Sequence, residues 1–118
     1  MIMLTYWKNK DLREYDKVIY TSASVPARCT QPGIEHWKQL APSQELCNLW
    51  GKLPEVELGA RYEEELRTVL LPELRKLIEL SESGKWIQVL FFEKSPDEGE
   101  RPWMFKVLSE LTTDVYIE

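Results

Sequence analysis

Of the 118 residues only two are cysteine and one is histidine. Cys29 and Cys47 fit no C-x-x-C spacing, which removes a disulfide framework or a structural zinc site and leaves two reduced thiols. His36 stands alone, with no H-E-x-x-H motif or acidic triplet at ligand spacing, so neither a catalytic metal nor a cofactor is expected. Glycine is scarce as well. None of the five lies in a G-x-G or G-K-S/T context, which excludes a phosphate-cradling glycine loop. Long apolar runs are missing: residues 86–92 form one of the longest, far below the roughly 18 residues a membrane span needs. The apolar start, MIMLTYW, lacks a basic n-region and a small-residue cleavage site, so it reads as a strand rather than a signal peptide. The expectation is a cytoplasmic protein with no membrane contact.

A basic excess is absent too. The formal net charge of −5 argues against broad binding to a nucleic-acid backbone, which needs clustered Lys and Arg. Residues 55–82 carry Glu55, Glu57, Glu63, Glu64, Glu65, Glu73, Glu79 and Glu82 against Arg61, Arg67, Arg75 and Lys76. That stretch reads first as a solvated helix face that aids solubility; the sharper reading is an acidic surface that meets a basic protein partner.

What is present is ordinary globular composition, 43% apolar and 30% charged, enough for one core in one domain over residues 1–118. Residues 2–7 and 18–24 read as strands, joined by the polar segment KNKDLREYDK. The punctuated run VPARCTQPG is a loop. Ser43 is a candidate N-cap for a short helix over residues 44–50, with Gly51 as its stop. Beyond Pro54, Leu58, Tyr62, Leu66, Val69 and Leu70 fall on one helical stripe. A further helix opens at Pro72, with Leu74, Leu77, Ile78 and Ser81 on one side and Gly84 as its end. Residues 86–93 form the next strand. Pro102 then opens a helix striped by Met104, Val107, Leu108 and Leu111, and residues 115–117 close the chain as a short strand. This order predicts an α/β fold: a single compact domain with a mostly parallel sheet covered by helices. The five tryptophans are expected to be packing residues.

In such sheets ligands sit where a strand ends and a helix begins. The stretch from Lys85 to Leu111, KWIQVLFFEKSPDEGERPWMFKVLSEL, contains that junction and crowds it with Glu93, Lys94, Asp97, Glu98, Glu100 and Arg101. A helix amino end attracts anions, but the local carboxylates would oppose a phosphate unless Arg101, Lys94, Arg28 and Arg61 converge on it. Ser22 and Ser24, at the end of the second strand, would face the same edge as Glu93 if the two strands are neighbours, where they bind a ligand or cap the next turn.

Three words in this order, LAPSQEL, ARYEEEL and VLFFEKSPDEGERPWM, together with LTYWKN and VIYTSAS upstream, resemble the YeaO-like family of small domains of unknown function, over nearly the whole chain. The resemblance aligns Arg61 and Tyr62 with an Arg-Tyr pair of that family. It also implies a late motif of cysteine and glutamate at a strand end, a proline, and Cys-His-Arg opening the last helix. Here the glutamate is Glu93, the proline is Pro96, and Cys-His-Arg has become Gly99, Glu100 and Arg101. A cysteine at a helix amino end would be a reactive thiolate; Gly99 and Glu100 supply no such group. Glu93 and Arg101 remain, either as a substrate-orienting pair or as a structural salt bridge. Tyr62 lies on the apolar stripe and is expected in the core.

Two function classes follow. The first is a small-ligand or nucleotide-type pocket at the strand ends, formed by Thr5, Ser22, Ser24, Arg28, Arg61, Tyr62, Glu93, Lys94 and Arg101, and suited to a small anionic ligand. The second is an inactive family member that works by protein contact through its acidic helices, as inhibitor or adaptor. The sequence identifies no catalytic residue and leaves the oligomeric state open. A Cys29–His36 nucleophile pair is conceivable, but a structural thiol and a surface histidine account for both residues. Neither cysteine occupies the helix-end position, so replacing Cys29 and Cys47 together is expected to leave ligand or partner binding intact. Loss of binding in a folded Cys29→Ser variant would contradict this.

Overall fold

The apolar start forms strand β1 (Ile2–Tyr6), and a 3-10 turn over Trp7–Asn9 leads across to β2 (Lys17–Tyr20). These and all other residues from 1 to 118 are described by the computed structural model. A second 3-10 turn, Ala27–Cys29, precedes β3 (Ile34–His36). Three helices follow, α1 (Gln44–Leu49), α2 (Glu55–Arg67) and α3 (Leu71–Glu82), then β4 (Ile87–Phe91), α4 (Arg101–Leu111) and β5 (Val115–Ile117). The strands form one sheet in the order β3-β2-β4-β1-β5, and every pair is parallel. The expected α/β class is therefore what the chain adopts. No helix is long and apolar enough to cross a membrane.

Strand β4 lies at the centre, and all five of its residues are buried. Its side chains alternate between two cores. Ile87, Val89 and Phe91 join the larger one, with Ile2, Leu4 and Ile19 from neighbouring strands and Leu58, Tyr62, Leu66, Leu74, Leu77, Met104 and Leu108 from α2, α3 and α4. Leu90 joins the smaller one on the other face, with Val18, Tyr20 and Cys29. Gln88 is the polar residue within this strand, and it is satisfied: it donates to the Asn9 carbonyl at 3.0 Å and accepts from the Asp11 amide at 2.8 Å. It thereby fastens the β1–β2 crossover to the sheet.

The helices obey their caps. The Ser43 hydroxyl accepts from the Leu46 amide at 3.2 Å, as an N-cap should, and Glu65 on α2 accepts from the Ser43 amide at 2.8 Å, tying α1 to α2. Leu74, Leu77, Ile78 and Ser81 are all buried, as their spacing predicts. Two expectations change. Val69 is 74% exposed, because α2 ends at Arg67 with Thr68 in a non-helical conformation, so the stripe stops at Leu66. Residues 34–36, which follow the VPARCTQPG loop and to which the sequence assigns no element, add an edge strand whose pattern is too short to carry a period. Trp86 is 45% exposed at the lip of β4, and of the five indoles only that of Trp37 donates a hydrogen bond, to Glu35.

Gly59 is required on α2: a Cβ there would fall inside the indole of Trp103 on α4. Gly59→Ala is expected to lower stability by about 1–3 kcal/mol through overpacking, although alanine is the better helix former by about 1 kcal/mol. Leu90→Ala should cost about 2–4 kcal/mol, as a fully buried position does. Urea denaturation of both variants measures this, and an unchanged midpoint for Leu90→Ala would contradict the central placement of β4.

Candidate functional site

The chain leaves β2 for one face of the sheet and leaves its neighbour β4 for the other, since Cys29 packs in the smaller core and α4 in the larger. Adjacent strands whose connections part in this way create a crevice at their carboxyl ends. A cleft of about 200 Å³ lies there, lined by Ser22, Ala23, Ser24, Leu90, Phe91, Phe92, Glu93 and Glu100. Phe92 stacks on Tyr20, with ring centroids 5.2 Å apart, and Tyr20 donates to the Cys29 carbonyl at 2.9 Å, so the apolar side of the cleft is fixed. A second depression of about 270 Å³ adjoins the other side of Glu93, lined by Trp50, Gly51, Leu53, Glu55, Leu58, Glu98 and Gly99 as well.

Gly99 decides how Glu93 sits. Its φ of +70° is a conformation that side chains avoid, and a Cβ there would collide with the Glu93 carboxylate. The Gly99 amide donates to Glu55 at 2.6 Å, anchoring the loop to α2. The residue standing where the resemblance implies a cysteine thus provides room for a carboxylate.

Of the two roles left open for Glu93 and Arg101, the structural salt bridge between their side chains does not form. Arg101 is 0% exposed, and its guanidinium donates to the Glu93 carbonyl and, at 2.6 Å, to the main-chain oxygen of Glu118, with the Phe91 ring 5.5 Å away; its Nε has no partner. Burial pulls its pKa down, opposed by the charges of Glu93 and Glu118. The carboxylates of Glu93 and Glu100 have no hydrogen-bond or ion-pair partner in the protein. Glu100 is pushed up to about 8, first by burial of its carboxyl and then by the charge of Glu93. Below that pH it carries a proton beside a second carboxylate, an arrangement able to donate or accept a proton at neutral pH.

The structure brings together Ser22, Ser24 and Glu93 of the expected site residues, and places Arg101 beneath them as a buried brace. It separates the others. Thr5 is buried, donating to Glu118 at 2.7 Å and accepting from Asn9 at 3.2 Å. Arg61 pairs with Glu57 on its own helix at 3.2 Å and lines a different depression, of about 140 Å³, with Ser43, Glu45, Leu46, Leu49 and Glu65. Tyr62 is in the core, as expected, donating to the Leu40 carbonyl at 2.7 Å. Arg28 and Lys94 are exposed and line none of these clefts. The convergence of cations that a phosphate requires does not occur. Glu100, which the sequence places at the junction without counting it among the candidate binding residues, is the addition; its signal is its place immediately before the buried Arg101 and Pro102, at the turn into α4.

Cys29 is buried in the smaller core, and burial together with the charges of Glu100 and Glu65 raises the pKa of Cys47. No grouping of His, Cys, Asp and Glu suited to a metal ion is present. No family model, no curated protein and no solved structure matches the chain.

The Glu100 shift has a sign. Between pH 4.5 and about 8 the folded state keeps a proton that the unfolded chain releases, so this group costs stability as pH rises through that window. Its titratable neighbours are Glu93 at the end of β4, Cys47 on α1 and Tyr62 on α2. Glu100→Gln should therefore stabilise the protein relative to the parent above pH 8, with the advantage shrinking toward pH 4.5. Urea unfolding at both ends of the window checks this, and a difference independent of pH would contradict it.

Proposed function

We propose that this chain is a small-ligand-binding domain whose site is the cleft between the carboxyl ends of β2 and β4. The observation that carries the reading is the meeting of Ser22, Ser24, Glu93 and Glu100 in one cleft at the point where the connections diverge, with both carboxylates unpartnered. On the helices several charged side chains are instead paired with one another. Glu63 is paired with Arg67 and, at 3.0 Å, with Lys106; Arg67 also reaches Glu110, and Lys76 holds Glu73 at 2.9 Å. Side chains already satisfied within the fold are structural in the first instance.

The same pairing weakens the alternative, an adaptor or inhibitor that docks a basic partner on the acidic helices. Glu57 and Glu63 are neutralised by their own helix or by α4, Glu55 and Glu65 accept from amides, and Glu64, Glu79 and Glu82 are left as scattered charges. A nucleotide-type or other small anionic ligand is also less favoured by a cleft with two carboxylates and no cation in its lining. We further propose a YeaO-like ancestry with the late motif altered, in a cytoplasmic setting where both thiols stay reduced; the resemblance in LAPSQEL, ARYEEEL and VLFFEKSPDEGERPWM supports it.

Screening a fragment library of neutral, cationic and anionic compounds against amide NMR spectra tests the site. Hits are expected to shift Ser22, Ser24, Glu93 and Glu100. In an Ala23→Leu variant, which fills the cleft from its own lining, they should bind at least about tenfold more weakly. Hits that map instead to the exposed faces of α2 and α3 would overturn the reading in favour of the contact surface.

A further inference from the structure

The missing partner of the two carboxylates is itself informative. Arg101 meets Glu93 at its main chain: two of its N–H groups go to main-chain oxygens of Glu93 and Glu118 rather than to either side chain. Neither Lys nor Arg lines the cleft or the depression that adjoins it. Glu100 is partly exposed and lines the cleft with Glu93, its carboxyl unpartnered in the protein. A buried carboxylate is costly unless a positive group or hydrogen-bond donors meet it. On the far side of Glu93, Glu55 and Glu98 extend the negative field, which draws cations toward the mouth and repels anions. The remaining walls are apolar, Leu90, Phe91 and Phe92, with the hydroxyls of Ser22 and Ser24 at the rim.

We propose that the ligand of this cleft is a small organic cation, an amine whose ammonium group lies between the Glu93 and Glu100 carboxylates and whose short carbon skeleton rests on Phe92. The inference rests on the ligand-binding reading above and goes beyond it by naming the charge and chemical class. An ammonium offers three donors, and two carboxylates with a serine hydroxyl are acceptors enough for them once the arriving positive charge displaces the proton that Glu100 otherwise keeps. The volume of about 200 Å³ admits a short chain and no nucleotide-sized molecule. Metal ions are a poor fit, because no three ligating side chains converge.

Three isosteric probes of different charge separate the possibilities: n-butylamine, n-butanol and butyrate, titrated at equal concentration against the amide spectrum of the full chain. Butylamine is expected to give saturable shifts at Ser22, Ser24, Glu93 and Glu100, with little response to the other two. Glu93→Gln should weaken butylamine binding about tenfold or more, the loss expected for one charge-assisted contact, whereas Glu79→Gln, which removes the same charge from an exposed part of α3, should leave it unchanged. Equal shifts from butanol would keep the cleft as a binding site and overturn the cationic class. Glu79→Gln weakening butylamine as much as Glu93→Gln would reduce the effect to general attraction by an acidic protein and overturn the proposal. Failure of all three probes to shift these amides would overturn both the class and the site.

Discussion

A buried guanidinium holds the carboxyl end of this sheet together. Arg101 begins α4, passes over Phe91 and donates to main-chain oxygens of the segment after β4 and of the residue after β5, two places that flank β1 in the sheet. Burying such a charge is expensive, and the fixed fork of N–H donors makes up the cost only when it meets well-placed acceptors. A lysine ammonium would be a point charge with no such fork. Once Arg101 has committed its donors to the backbone, the side chains of Glu93 and Glu100 are left without a cation, and the character of the cleft above them follows from that choice.

The sheet order supplies the rest. With β4 inserted between β2 and β1, connections that move outward through β2 and β3 occupy one face, and those that return to β4 and go on to β5 occupy the other. Right-handed crossovers require this division. It also makes the two covers unequal: helices α2, α3 and α4 protect one side, while short turns carrying Trp7, Val25 and Cys29 protect the other. Gln88 is the compensation on the thinner side, a buried amide that fastens the β1–β2 segment through both of its polar atoms. Gly59 plays the matching part on the helical side, where its missing side chain lets Trp103 approach α2.

Much of the fold was legible because the periodic signals were strong. The apolar run at the centre, the N-cap at Ser43, the prolines opening α3 and α4, and the closing strand at Val115–Ile117 all lie where local chemistry places them. The edge strand β3 was not legible, because three residues cannot display a period and its residues are mostly exposed. Val69 misled because apolar spacing does not reveal where a helix ends. At the site, the neighbourhood of Ser22, Ser24 and Glu93 follows from adjacent strands. The placement of Arg61 does not, since a helical arginine with an acid four residues before it can satisfy itself locally, as Arg61 does with Glu57. Arg101 shows a different limit. Sequence identifies an arginine near a glutamate, but only packing determines whether the carboxylate or the carbonyl receives the hydrogen bond.

The central claim is that Arg101 serves the backbone and leaves Glu93 and Glu100 as an unneutralised pair. Carbon-detected NMR titration of the Glu100 side-chain carboxyl tests it most directly. The account predicts a midpoint near 8 that falls when Glu93 is replaced by glutamine, because burial and the Glu93 charge both raise it. A Glu100 midpoint at the ordinary 4.5, unmoved by that replacement, would mean that a cation of the protein already neutralises the pair and would contradict the account.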